Sequence, residues 1–195
     1  FPPAQVGEGA AELMELLRRY GYPEGVMGHA PYGNLHFFIT PDFSNPEELE
    51  KYSRFLDELV ELVVDKYDGS MKAEHGTGIN MAPFVRHEWG DEIWNLFWEV
   101  KEMLDPDTIL APDVKLTRQS DIHLQRFKSF PKVEQEINMC VECGFCEPVC
   151  PSRHVTVTPR QRIVLRREMA RQPEGSEVLG ALREQYQYDC LLYTS

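Results

Sequence analysis

No stretch of the 195 residues stays apolar for the ~18–20 positions that a membrane-spanning helix needs. The longest apolar run, around Leu59 to Val64, is interrupted by Glu61, which excludes a transmembrane protein. Positive charge is scarce as well. Twenty Lys and Arg stand against 32 Asp and Glu, for a net charge of −12. A nucleic-acid partner is therefore not expected. There is no internal repeat and no low-complexity tract, so solenoids and disordered arrays are set aside. Cysteine is limited to five residues, four of them within eleven positions. That crowding is not the even spacing of a secreted disulfide scaffold, and it points to a reducing compartment. The expected location is cytoplasmic, or peripheral on the inner face of a membrane.

What is present suits a folded chain: 42% of residues are hydrophobic and 27% charged. The length allows one ordinary domain and a small second module. Charge is spread unevenly. Residues 152–172 hold six Arg and one Glu, or +5, and the remainder carries −17. The chain starts at Phe1 rather than Met. It closes on Cys190-Leu191-Leu192-Tyr193-Thr194-Ser195, which reads as sequencing-adapter read-through over residues 190–195. The expectation is an internal piece of a longer protein, with Cys190 not native to it.

Val6, Ala10, Leu13, Leu16, Leu17 and Tyr20 recur at helical spacing, and Gly21 provides a stop. Two short apolar runs follow, Gly25 to Ala30 and Leu35 to Thr40, and residues 31–34 between them suit a four-residue hairpin loop. Asn45-Pro46-Glu47-Glu48 is a helix start, and an apolar stripe runs from Leu49 to Tyr67. A third strand or extended segment is expected over Met71 to Glu74. Helices are expected around Ala82–Glu88, Glu92–Leu104, Pro159–Arg171 and Ser176–Tyr186, with a linker over residues 117–136.

Cys140-x-x-Cys143-x-x-Cys146-x-x-x-Cys150-Pro151 matches the bacterial ferredoxin ligand run. Short spacers let three thiolates wrap the corners of one iron–sulfur cube. On that pattern Cys140, Cys143 and Cys146 share one 4Fe-4S cluster and Cys150 serves a second, whose other ligands lie elsewhere. A zinc knot or a disulfide pair is the alternative. Arg160, Arg162, Arg166, Arg167 and Arg171 follow on the next helix. They are read as a solvated or domain-docking face; raising a cluster potential or docking an acidic partner stays open.

The second signal is Gly28-His29-Ala30-Pro31-Tyr32-Gly33-Asn34-Leu35-His36. With loop residues 31–34, His29 faces His36 across the hairpin, and opposed residues share a sheet face at Cβ separations of ~4.5–5.5 Å. Two such imidazoles can chelate one divalent metal, zinc or similar. Glu74, in Ala73-Glu74-His75-Gly76-Thr77-Gly78, would complete two histidines and a carboxylate with a position left open. A regular strand points Glu74 and His75 to opposite faces, so the glycine turn must re-aim one of them. His87, His123 and His154 lack such company and are read as structural.

These motifs, with Asp68-Gly69-Ser70 and Leu104-Asp105-Pro106-Asp107-Thr108-Ile109-Leu110, resemble the C-terminal domain of FAD-linked oxidases, the group of D-lactate dehydrogenases, glycolate oxidase and D-2-hydroxyglutarate dehydrogenase. The appended cysteine run with Thr158-Pro159-Arg160-Gln161-Arg162 resembles the subfamily fused to an iron–sulfur domain. The resemblance implies oxidation of a 2-hydroxy acid to a 2-oxo acid, with hydride passing to FAD and electrons leaving through 4Fe-4S clusters to a cytochrome or quinone pathway. It places a divalent metal on His29, His36 and Glu74. His75 is the base or a flavin-side contact, and Asn34, Glu74, His75 and Gly76 border the cofactor. Pro31-Tyr32 stands where the family usually has Gly-Asp, and Phe38 where some relatives carry a ligand-contacting Asn. The FAD-binding half precedes these residues in that family, so this chain alone is expected neither to hold FAD tightly nor to turn over. A non-catalytic iron–sulfur carrier is the alternative.

The expected fold class is α+β. Residues 1–116 form a small antiparallel sheet with helices packed on one face, a ferredoxin-like cap, and residues 137–189 a mainly helical iron–sulfur module.

Overall fold

The structure is a computed structural model that describes residues 1–127 and 131–186. The expected read-through at 190–195 and the last residues of the expected iron–sulfur module lie outside the described residues. The chain divides into two compact units, Phe1–Phe127 and Lys128–Ser195. Residues 117–127, expected to begin the linker, belong to the first unit, where Ile122 is fully buried.

The first unit is built on two amphipathic helices. α1 (Val6–Arg19) buries Leu13, Leu16 and Leu17. α2 (Pro46–Val60) buries Tyr52, Phe55, Leu56 and Leu59. Asn45 caps α2 by accepting the Glu47 N–H at 3.0 Å, and Pro46 fills the first helical position, where no donor is needed. The helix continues as a π-helical turn, Glu61–Lys66, which keeps Val63 in the core.

Between α1 and α2 lies a two-stranded antiparallel hairpin, β1 (Val26–His29) and β2 (Asn34–Phe37). Strand periodicity decides its two faces. Val26, Leu35 and Phe37 pack on the helical core, where Phe37 meets Phe55 at 5.8 Å between ring centroids. Met27, His29, Asn34 and His36 therefore share the opposite face. The register differs from expectation: His29 pairs with Asn34 and Met27 with His36. The loop is Ala30 to Gly33, a 3-10 turn closed by Gly33 at φ 74°, one residue earlier than expected. Gly28, at φ 151°, approaches β2 so closely that a Cβ there would lie 2.2 Å from the Asn34 carbonyl oxygen.

No third strand forms among the described residues. Met71 to Glu74 is a turn in which Ala73 takes φ 42°. Glu88 anchors this segment by accepting from Ser70 Oγ at 2.7 Å and from the Met71 N–H at 3.2 Å. Glu88 lies on α4 (Val85–Leu104), which follows the short α3 (Gly78–Met81) and a 3-10 turn. Gly90 (φ 75°, ψ 169°) breaks α4 into the two helical stretches that the sequence indicated.

The second unit holds α5 (Gln135–Asn138), α6 (Pro159–Arg171) and α7 (Glu177–Tyr186) around buried Ile137, Met169 and Leu179. Thr158 and Gln161 form a reciprocal capping box at the start of α6. The cysteine segment between α5 and α6 is a succession of turns. On the arginine helix, expected to be a solvated or domain-docking face, Arg162 and Arg167 are buried, at 2% and 4% exposure. Among the described residues no helix is long and apolar enough to cross a membrane.

Candidate functional site

The hairpin's outer face and the 72–78 turn converge on one carboxylate. Glu74 Oε1 lies 3.3 Å from His36 Nε2, 3.5 Å from His75 Nε2 and 3.6 Å from His29 Nε2. His29, His36 and Glu74 each offer a ligand atom within 4.8 Å of the others. Two imidazole nitrogens and one carboxylate oxygen form the donor set of an open catalytic zinc site. His36 is half-buried, while His29 and His75 are exposed.

The histidines meet despite the altered register. The observed pairing shifts β1 against β2 by two residues from the expected one, and a two-residue shift keeps every side chain on its face. His29 and His36 thus become diagonal neighbours, still within reach of long side chains, with ring centroids 5.8 Å apart. A one-residue slip would have turned one of them into the core.

The turn supplies what a strand could not. His75 N–H donates to the Lys72 carbonyl at 3.0 Å, and Gly76 reverses the chain at φ 75°. Successive residues Glu74 and His75 consequently aim at the same point, and the His36 and His75 rings lie 5.1 Å apart. A cleft of about 460 Å³ opens beside them, lined by His36, Lys72, His75, Gly76, Thr77 and Asn80.

Asn34 Nδ2 donates to Glu74 Oε2 across forty residues of sequence. The family resemblance puts Asn34 at the cofactor border and does not foresee this bond, because nothing in spacing links position 34 to position 74.

In the second unit Cys140, Cys143, Cys146 and Cys150 are all free. Glu142 N–H points at Cys140 Sγ at 3.3 Å. Arg167 donates to the Cys140 and Ile137 carbonyls at 2.9 and 3.2 Å. Arg162 Nη1 lies 3.7 Å from Cys150 Sγ, and its Nη2 donates to Ser152 Oγ at 2.7 Å. The Ser152 hydroxyl and the Arg162 guanidinium hold the Cys150 thiol below its ordinary range. Free thiols with donors aimed at their sulfurs fit iron–sulfur ligation. These buried arginines had no periodic signal in the sequence, since α6 carries basic residues on several faces.

His87 pairs with Asp65 at 2.7 Å, and His154 accepts from Arg153 at 3.1 Å. His123 is buried beside Phe84, away from any partner for its ring nitrogens among the described residues.

Fold and site together define an α+β domain in which two histidines of a hairpin face and a glutamate of the following turn come close enough that they could hold a metal ion. Residues 1–114 match the family model described as FAD linked oxidases, C-terminal domain, and the chain belongs to that family. It is 34% identical over 88 residues to D-lactate dehydrogenase [cytochrome] 1, mitochondrial, of Saccharomyces cerevisiae, covering 45% of this chain and 14% of that protein. It is 27% identical over 111 residues to glycolate oxidase subunit GlcD of Bacillus subtilis, 57% of this chain and 23% of that one. It is 30% identical over 113 residues to D-2-hydroxyglutarate dehydrogenase of Stutzerimonas stutzeri, 55% and 24%. The chain thus spans less than a quarter of the length of these relatives. No solved structure gives a significant match.

Proposed function

We propose that this chain is the substrate-side domain of a flavin-dependent 2-hydroxy acid dehydrogenase, of D-lactate type, joined to an iron–sulfur module. The observation that carries the reading is the convergence of His29, His36 and His75 on one oxygen of Glu74, beside an open cleft. The names of the relatives agree with it.

His29, His36 and Glu74 would hold a divalent cation, zinc or similar, which lowers the pKa of a bound hydroxyl and keeps a coordination position open for it. His75 stands at the same point with its ring exposed towards the cleft. Its Nε2, when unprotonated, would take the substrate hydroxyl proton. FAD, when bound, supplies the acceptor for the α-hydrogen, which leaves with its electron pair as the carbonyl forms. Cys140, Cys143 and Cys146 would ligate one 4Fe-4S cluster and Cys150 a second. Such clusters supply single-electron exits towards a cytochrome or quinone acceptor.

The test is oxidation of D-lactate and other 2-hydroxy acids by the protein read through on both sides of this chain. The reading requires bound flavin, turnover that a chelator abolishes, and loss of turnover in His75→Ala. Turnover indifferent to both the chelator and the substitution would overturn it; an iron–sulfur protein with no flavin would support the electron-carrier alternative instead.

A further inference from the structure

We propose that Asn34 is the positioning residue of the cation site, the side chain that turns Glu74 into a ligand. This rests on the reading of His29, His36 and Glu74 as a cation site.

An asparagine beside a hairpin loop ordinarily serves the loop, its side chain bonding nearby backbone. Asn34 does otherwise. It is the first residue of β2, with extended pairing to His29. Strand alternation puts its side chain on the outer face, between His29 across the ladder and His36 two residues on. There its amide donates to Glu74 Oε2. The other oxygen, Oε1, is the one that the three imidazoles surround.

The two ligating histidines come from a paired hairpin, whereas Glu74 comes from an irregular turn forty residues later. A glutamate has three side-chain torsions to order, and an unrestrained one must lose that freedom when it binds a cation. Fixing Oε2 fixes the carboxylate plane and leaves Oε1 directed inward. Removal of such an outer hydrogen bond lowers metal affinity by about 10–100-fold in other sites. The same bond joins the hairpin to the 72–78 turn, so it also sets where His75 stands relative to the bound hydroxyl.

The experiment is a cobalt(II) titration of the chain with its cysteine thiols alkylated, so that only nitrogen and oxygen donors remain. Asn34→Ala and the isosteric, strand-compatible Asn34→Leu are compared with the parent. Each is also placed in a Glu74→Ala background. The expected result is a 10–100-fold weaker affinity in both single variants, an unchanged cobalt-free melting midpoint and altered visible cobalt bands. In the Glu74→Ala background, the same substitutions should cost nothing further, since Asn34 acts through Glu74. Parent-like affinity in Asn34→Leu, or an equal loss with and without Glu74, would overturn the assignment while leaving the cation site standing. A parent chain that binds no cobalt would overturn both.

Discussion

At the scale of single residues, the proposed function gives different work to three imidazoles around one carboxylate oxygen. His29 and His36 share the hairpin face and belong with Glu74 to the group that could hold a metal ion, while His75 comes from the turn that borders the cleft. His36→Ala should lower cation affinity at least 100-fold. His75→Ala should leave that affinity within about threefold, yet cut turnover of the complete enzyme by about 10²–10⁴, the usual yield of a general base. Cobalt titration and steady-state kinetics on the two variants separate the roles. A second residue-scale consequence concerns His123. Burial pushes its ring below the ordinary value of 6.5, against the opposing charges of Asp57 and Asp121. The folded unit keeps it neutral, so as pH falls below 6.5 the unfolded chain takes up the proton first and stability drops towards the folded value. Melting midpoints measured from pH 7.5 to 5 should decline, and His123→Phe should flatten the decline.

At the scale of elements, the hairpin is where the site is made. Gly28→Val would drive a side chain into the Asn34 carbonyl, 2.2 Å from where its Cβ must sit. The expected outcome is loss of cobalt binding with helical circular dichroism largely kept, because α1 and α2 bury their own core. Both helices, the Asn45 cap and the α6 boundaries were legible in the sequence, since amphipathic spacing and capping chemistry are local. The hairpin was legible too, but its register was not. Loop residues 30–33 and 31–34 suit a four-residue turn almost equally, and both put Val26, Leu35 and Phe37 on the core face; the observed loop is the one that closes at Gly33, φ 74°. The histidine face survived because the difference was an even number of residues. Met71 to Glu74 is not extended as expected: Lys72, Ala73 and Glu74 are poor strand formers, Gly76 reverses the chain just beyond them, and Glu88, which anchors the start, is not visible in a window of a few residues. The bond from Asn34 to Glu74 and the burial of Arg162 and Arg167 depend on tertiary placement alone.

At the scale of the whole molecule, two units carry two kinds of ligand chemistry, imidazole and carboxylate in one and thiol in the other. Cys143→Ser should remove the broad visible absorbance of an anaerobically reconstituted chain. Cobalt affinity of the thiol-alkylated chain should be the same with and without that substitution. The family match covers the first unit up to residue 114, which includes the hairpin, the turn and α4 that bring His29, His36 and Glu74 together. The account's central claim is that His29, His36 and Glu74 hold one divalent ion between them. Anomalous scattering from crystals of the chain grown with zinc tests it most directly. The account predicts a peak bonded at about 2.0–2.2 Å to His29 Nε2, His36 Nε2 and a Glu74 carboxylate oxygen. Zinc bound only at the cysteines, with the two imidazoles turned apart and Glu74 away from both, would contradict it.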